Sequence, residues 1–577
     1  MGALKIEKPA RASTLAKARA MHQRDPYDVG KTLILSDLLE AKGFAKKATD
    51  LWLALLEHDP ECNSARLNLA TLLFRHREFH AAYAHFVRID RSSGFAAQAH
   101  NGAGACCFEL KSFDLAIGHY SEAIKLNNRG ASTYENLAFA LVAIEKFTEA
   151  AECFNLAYTV SGRDSSILSA GADLLLKNNA VEDAIALYRE YLALVPDNAQ
   201  AFSNLGAAYR ANGQFEAAEQ TFVQAVKLDQ TNPVFLYNLS TITKSPALQK
   251  LTSGVTYQDE SAHQRACYHF AMAKDFDLLE EYETAFHHFE KGNDALHSTA
   301  PSNGVINPLN LDLGQTQETV ADCPTPIFIV GMPRSGTTLV ERLLSSHSLI
   351  AAGGERNWLQ AALQHALVDQ DGLPDARAFD IAKRYSANIP KSLKETPYFT
   401  DKMPLNFRYV KEAALAFPTA KFVHVHRDPR AVAWSNYRTY FTIGGADLSY
   451  STNRKSIAEF MQNYRQEVAS WNCLPEGRIV HLDYEMLVLE PEKETAQLIA
   501  ALGLPEKEAS TKEQRVPVPI RTASAQQARR AVYKDSSLSW KNYQSFAADW
   551  FENISDLRRY GNHHVPIKMP KPSALKA

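Results

Sequence analysis

The 577-residue sequence is short of several features that would place it in a class at once. No run approaches the roughly 18 consecutive apolar residues that a membrane-spanning helix needs, which argues against an integral membrane protein. Net charge is scarce as well. Lys and Arg number 62 against 65 Asp and Glu, a net −3, so there is no general electrostatic footprint for nucleic acid or an anionic membrane and any anion site must be local. The seven cysteines (Cys62, Cys106, Cys107, Cys153, Cys267, Cys323 and Cys473) are odd in number and show no zinc or redox spacing, so free thiols are expected. The first 25 residues hold six Lys or Arg but lack the apolar core and cleavage site of a secretory signal. These absences together lead to the expectation of a cytoplasmic protein in a reducing setting. Charged residues at 22% and apolar residues at 46% are ordinary for globular proteins, and the length asks for two or more folding units.

What is present first is a repeat. Ala48, Ala82, Ala116, Ala150, Ala184 and Ala218 stand 34 residues apart. Four positions after each comes an aromatic: Trp52, Phe86, Tyr120, Phe154, Tyr188 and Phe222. Twelve positions before each comes a small residue: Ser36, Ala70, Gly104, Ala138, Ala172 and Gly206. The spacing predicts helix–turn–helix units in which small residues let two antiparallel helices approach and the aromatic fills the groove one turn on. A degenerate unit begins at Asn232, and Ala273, Ala285 and Phe289 restore the pattern 67 residues beyond Ala218, so a further unit ends near His297. This periodicity resembles the tetratricopeptide repeat. Such a solenoid offers a concave surface for a peptide or another subunit. The pairs His287–His288 and His563–His564 are read as surface or packing residues, because neighbours on a helix point about 100° apart.

Residues 298–325 lose helical periodicity and collect turn formers such as Pro301, Gly304, Pro308 and Pro324. The expected organisation is a lead-in at 1–25, a solenoid at 26–297, a linker at 298–325, a second domain at 326–560 and a tail at 561–577.

The apolar run Ile327–Val330 then reads as a buried strand, followed at once by Gly331-Met332-Pro333-Arg334-Ser335-Gly336-Thr337-Thr338 and an amphipathic helix. Strand, glycine-bounded loop and helix aim backbone N–H groups at a phosphate. The spacing is that of a nucleotide P-loop except that Thr337 replaces its lysine, and the loop's sole cation is Arg334. ATP hydrolysis needs that lysine and Mg²⁺, whereas an arginine fork with hydroxyls and backbone donors suits a sulfuryl group moving next to a phosphate.

This loop resembles the 5′-phosphosulfate loop of sulfotransferases that use 3′-phosphoadenosine 5′-phosphosulfate, in the branch that holds the tyrosylprotein sulfotransferases. The resemblance covers about residues 325–550. It implies an α/β domain with a mostly parallel sheet behind an α-helical solenoid, with the ligand at the carboxyl ends of the strands. It also implies a donor substrate, 3′-phosphoadenosine 5′-phosphosulfate, and no required metal. By residue, it implies that Arg334, Ser335, Gly336, Thr337 and Thr338 hold the 5′-phosphosulfate end. Arg427 and Ser435, after the strand Lys421–His426, would hold the 3′-phosphate; Asp428 as N-cap and Pro429 at N1 start the helix that carries Ser435.

Glu355, 21 residues after Arg334, matches the general base of the tyrosylprotein enzymes, while a helix-capping role is the alternative. Lys402, after a strand ending near Asp401, matches the lysine at the bridging oxygen. Tyr484 is either a core aromatic or a wall of the nucleotide site. Ser524 and Tyr533 match a late loop over the donor, Ser524 serving catalysis. Ser539 stands where the family often has a basic residue before the tryptophan matching Trp540, and Lys541 or Arg529 are the candidate substitutes. His347 and His426 remain alternative bases.

The expected reaction is sulfuryl transfer to an acceptor hydroxyl, with a protein or peptide tyrosine held by the solenoid as first choice and a glycan or small alcohol as the alternative. The competing classes are a P-loop kinase and a repeat scaffold with an inactive transferase half. No nucleic-acid or membrane partner is expected, and the sequence leaves the oligomeric state open.

Overall fold

A computed structural model describes residues 15–126, 130–246, 248, 261–297, 320, 323–368, 374–441, 446–505 and 537–555. The chain forms two compact units, Met1–Ala208 and Tyr209–Ala577.

The first unit is helical throughout its described residues. After α1 (Leu15–Arg24), helices follow in pairs: α2 (Val29–Glu40) and α3 (Ala45–His58), α4 (Asn63–Arg75) and α5 (Phe79–Phe86), α6 (Ala96–Glu109) and α7 (Phe113–Lys125), α8 (Ala131–Ala143) and α9 (Phe147–Val160), α10 (Ser166–Lys177) and α11 (Val181–Leu194). The division falls inside α12 (Ala199–Asn212). The three sequence columns pack as their spacing predicts. Ala48, Ala82, Ala116, Ala150 and Ala184 have no exposure, and a Cβ at Gly104 would stand 2.7 Å from the Tyr120 ring. Trp52 donates its indole N–H to Ser36 at 3.0 Å, joining the aromatic and small columns of one repeat.

A fourth column lies in the turns. Gly43, Arg77, Lys111, Glu145 and Asn179 are 34 residues apart and all left-handed, with φ from 60° to 79°. Each precedes a residue whose amide bonds a carbonyl five residues back, as the Glu78 amide bonds the Leu73 carbonyl and the Ser112 amide bonds that of Cys107. This closure satisfies the carbonyls left over at the helix end and sets the turn angle. Glycine is the usual occupant, yet four of these five positions carry larger side chains, so residue type does not reveal the column.

The second unit opens with the end of α12, α13 (Phe215–Leu228), α14 (Pro233–Ser240), α15 (Ala262–Leu278) and α16 (Tyr282–His297). Its sheet holds β1 (Thr325–Gly331), β2 (Ile350–Ala352), β3 (Tyr398–Asp401), β4 (Lys421–His426) and β5 (Ile479–Asp483). All pairings are parallel, in the order β2-β3-β1-β4-β5. No sequence pattern singles out β2, because three residues are too few to show a period.

Alternation along β1 and β4 builds a separate core on each face. Ile327, Ile329, Val423 and Val425 pack with Val340 and Leu344 on one side. Phe328, Val330 and Phe422 face the other side, in a cluster that also takes in Phe270 of α15, Phe286 and Phe289 of α16, and Trp434. Helices α15 and α16 therefore share a core with the sheet. Phe286 stacks on Trp434 at 6.1 Å and Phe289 meets it edge-on at 5.5 Å.

Candidate functional site

The carboxyl ends of β1, β3 and β4 converge on one region. β1 runs into the loop 331–336, which leads into α17 (Thr337–Ser345). The loop crowds the neighbouring strand: a Cβ at Gly331 would stand 2.6 Å from the carbonyl oxygen of Val425. At Gly336, φ is 107° and a Cβ would overlap the Tyr484 ring, so glycine is required for both backbone and space. Arg334 itself is left-handed at φ 72°, a conformation that costs a non-glycine residue free energy and clusters at functional sites. Ser335, Thr337 and Thr338 are buried, and the Ser335 hydroxyl has no hydrogen-bond partner among the described residues.

Arg334 Nε donates to Ser435 Oγ at 3.0 Å, across 101 residues of chain. Ser435 lies on α18 (Pro429–Tyr437), the helix after β4, whose start is capped by Asp428 accepting from the Arg430 amide at 2.9 Å. Arg427 donates from Nη1 to the Arg334 carbonyl at 3.0 Å and from Nε to Ser537 at 3.3 Å, and its guanidinium lies 4.6 Å from the centroid of the Tyr484 ring. Arg334, Ser435, Arg427, Tyr484 and Gly336 thus form one connected group. Glu485 closes it from behind, accepting from the Asp428 amide and from Ser537 at 3.1 and 3.0 Å; burial pushes its carboxyl above the ordinary range.

A second group sits at the end of β3. Lys402, without solvent exposure, donates to Glu355 Oε1 at 2.5 Å. Glu341, one turn after Thr337 on α17, lies 4.0 Å from the same ammonium and accepts from the Gly354 amide and the Thr400 hydroxyl, both at 2.9 Å. Burial raises the Glu341 carboxyl, and Lys402 opposes the rise. Asp401 accepts from Tyr385 at 2.8 Å and from Asn406 at 3.3 Å; burial pushes its carboxyl up to about 7. Sequence reasoning misses Glu341 and Asp401 as site residues. Only the i, i+4 relation of Glu341 to Thr337 offers a signal, and that relation is common to any helix.

His347 has both ring nitrogens engaged by backbone, the Pro505 carbonyl at 3.1 Å and the Leu349 amide at 3.2 Å, which is a packing role. His426 lies 3.9 Å from Asp483. Ser524, Tyr533, Arg529 and the pair His563–His564 fall outside the described residues. Beside Trp540 the cation is neither of the expected substitutes among the described residues: Lys541 is exposed, while Arg430 stacks over the indole at 4.2 Å and is held by Asp428 at 2.8 Å. His288 pairs with His269 at 3.0 Å. Among the described residues no group of three or more His, Cys, Asp or Glu side chains is arranged to hold a metal, and no helix is long and apolar enough to cross a membrane.

Residues 326–508 match the family model described as the sulfotransferase family, and residues 169–233 match that of the tetratricopeptide repeat. The chain is similar to an uncharacterized protein of Aquifex aeolicus, 27% identical over 429 residues that cover 66% of this chain and 54% of that one. It is 31% identical over 223 residues to protein-tyrosine sulfotransferase 1 of Danio rerio, covering 34% of this chain and 61% of the relative. To protein-tyrosine sulfotransferase 1 of Homo sapiens it is 29% identical over 263 residues, 42% of this chain and 67% of the relative. The first two matches thus span less than two thirds of the relatives' length. Among solved structures, YrrB, a TPR protein with an unusual peptide-binding site, aligns with 32% of this chain and 96% of its own at 20% identity and a TM-score of 0.27. The chain carries a sulfotransferase-family domain C-terminal to tetratricopeptide repeats.

Proposed function

We propose that this protein moves a sulfuryl group from 3′-phosphoadenosine 5′-phosphosulfate to an acceptor hydroxyl, with a tyrosine of a protein or peptide as the acceptor and residues 26–297 as the solenoid that presents it. The observation that carries the reading is the loop Gly331–Thr338. It has P-loop spacing without a lysine, its arginine is tied to Ser435, and the Lys402–Glu355 pair is anchored to the helix that the loop begins.

The residues present fit the donor. The buried hydroxyl of Ser335, without a partner among the described residues, is an available donor for a phosphate oxygen, and the glycine at 336 keeps the helix N-terminus clear of a side chain where it faces Tyr484. Gly336, Thr337 and Thr338 would bind the 5′-phosphate and Arg334 the sulfuryl oxygens. Arg427 and Ser435 would bind the 3′-phosphate, with Tyr484 at the base; Ser524 and Tyr533 are assigned to the late loop by resemblance alone.

In the transfer, the acceptor oxygen forms a bond to sulfur as the bond from sulfur to the bridging oxygen breaks, and adenosine 3′,5′-bisphosphate leaves. Glu355 takes the acceptor's proton. Lys402 meets the charge that builds on the bridging oxygen, stabilising the transition state more than the ground state. The same ammonium pairs with Glu355. As the bridging oxygen comes to the buried Lys402 ammonium, the more exposed Glu355 carboxylate turns from the lysine to accept the proton, which couples base activation to donor binding.

The test is transfer of radiolabelled sulfuryl from the donor into a lysate, followed by hydrolysis. Label recovered on tyrosine supports the full reading. Label on carbohydrate or small molecules refutes the acceptor, and no transfer alongside metal-dependent ATP turnover refutes the reaction.

A further inference from the structure

The second unit assembles more positive charge beside the loop than the donor's two ends account for. Tyr237 and Thr241 lie one helical turn apart at the end of α14, so they share a face. Lys274 of α15 places its ammonium 4.4 Å from the centroid of the Tyr237 ring, and Arg210 of α12 donates to the Thr241 hydroxyl at 2.6 Å. Tyr237 donates in turn to the Tyr440 carbonyl at 3.4 Å and meets its ring edge-on at 5.0 Å. Two residues before Tyr440, Arg438 pairs with Asp277 at 2.8 Å, and Asp277 is three residues beyond Lys274 on the same helix face. Three residues before Arg438 comes Ser435, which accepts from Arg334.

Arg210, Lys274, Arg438 and Arg334 are therefore neighbours through Thr241, Tyr237, Asp277 and Ser435, and the three guanidinium groups each act on the Lys274 charge. Arg438 has the carboxylate of Asp277. Among the described residues, neither Arg210 nor Lys274 has a carboxylate within ion-pair distance. Burial, and then Arg438, Arg210 and Arg334, push the Lys274 ammonium down to about 7. Half-buried cations that lack a counter-charge cost folding free energy, and an incoming anion offsets that cost.

Of the two residues assigned to the 3′-phosphate, Ser435 borders the cluster and Arg427 does not. Arg427 approaches Arg334 through its backbone carbonyl and stacks on Tyr484, whereas the Arg334 side chain reaches α18 and, through it, Arg438.

We propose that Arg210, Lys274 and Arg438 form an oxyanion subsite beside Arg334, built in part by the last solenoid helices, that receives a carboxylate, phosphate or sulfate carried by the acceptor. The attribution to the acceptor rests on the transferase reading; the site itself does not. Arg210 and Arg438 supply planar donor forks and Lys274 a point charge.

The experiment is calorimetric titration of the full chain saturated with adenosine 3′,5′-bisphosphate, using three probes: inorganic phosphate, 4-hydroxyphenylacetate and 4-methylphenol. The expected result is that phosphate binds and that the carboxylated phenol binds at least ~10-fold tighter than 4-methylphenol, as one charge-assisted hydrogen bond provides. Phosphate should compete with the carboxylated phenol. Lys274→Met, close in shape and apolar, and Arg210→Gln should each remove the preference while bisphosphate affinity is kept. Phosphate binding without preference between the phenols would overturn the acceptor as its source and leave a free inorganic anion as ligand. Undiminished phosphate binding in both variants, or none in the parent, would overturn the site. None of these readouts needs turnover, so failure of the transferase reading is seen separately.

Discussion

Lys402 Nζ stands 2.5 Å from Glu355 Oε1, and the lysine side chain of this pair is wholly shielded from solvent while the carboxylate is not. The asymmetry matters. A buried ammonium is held in place by what surrounds it, here Glu341 at 4.0 Å as well, whereas a part-exposed carboxylate is free to turn toward an acceptor. Glu341 fixes both members at once, because the amide it binds belongs to Gly354, the residue before Glu355.

Glu355→Gln is expected to keep affinity for adenosine 3′,5′-bisphosphate while sulfuryl transfer slows by ~10²–10⁴, the usual contribution of a positioned general base. Single-turnover transfer rates and bisphosphate titration check this. Unchanged transfer would remove Glu355 from the chemistry and leave it the role of capping the following helix.

Glu341→Ala leaves a buried donor, the Thr400 hydroxyl, and a part-buried one, the Gly354 amide, without their acceptor. A buried donor left unmet costs ~1–3 kcal/mol, so this variant should unfold well below the parent in denaturant. Glu341→Gln keeps a carbonyl oxygen for both donors and should recover most of that stability. Equal midpoints for the two variants would count against Glu341 as the anchor of this loop.

Asp401 gives a pH dependence of known sign. Burial raises its carboxyl from an ordinary 3.8 to about 7, so the folded protein keeps a proton that the unfolded chain has released. Its contribution to stability is complete below about pH 3.8 and is lost as pH rises through 7. Unfolding free energies of the parent and of Asp401→Asn, measured across that interval, should diverge, the parent losing more on the way up. Parallel curves would show that Asp401 does not carry the proton.

Deleting residues 1–294 removes Phe270, Phe286 and Phe289 from the core they share with Phe328 and Trp434. The remainder should aggregate or unfold without cooperativity, since losing a single buried Phe side chain already costs ~3–5 kcal/mol. A chain starting at Tyr209 keeps that core and should melt cooperatively. A cooperative transition in the shorter chain would contradict the shared core.

Much of this architecture is legible in the sequence because it rests on periods and local spacings. A 34-residue recurrence of alanine and aromatic fixes a helical hairpin whatever lies between, and strand–glycine loop–helix fixes a phosphate-type loop, since both follow from backbone geometry over a few residues. Arg334 and Ser435, 101 residues apart, are expected from the resemblance at opposite ends of one donor, and the contact between them is tertiary.

The repeat architecture thus follows from the order of residues alone, and the parallel α/β class and the set of charged residues at strand ends follow from the resemblance that the loop and strand motifs carry. Three features come into being only in the folded chain. They are the left-handed turn column, whose residues are arginine, lysine, glutamate and asparagine as well as glycine; the Glu341 anchor behind Lys402 and Glu355; and the union of α15 and α16 with the sheet in one core. The physical reason is common to all three. Local patterns report which face of an element is apolar or where a chain must turn, whereas burial, close approach and the meeting of charges depend on residues far apart in the chain.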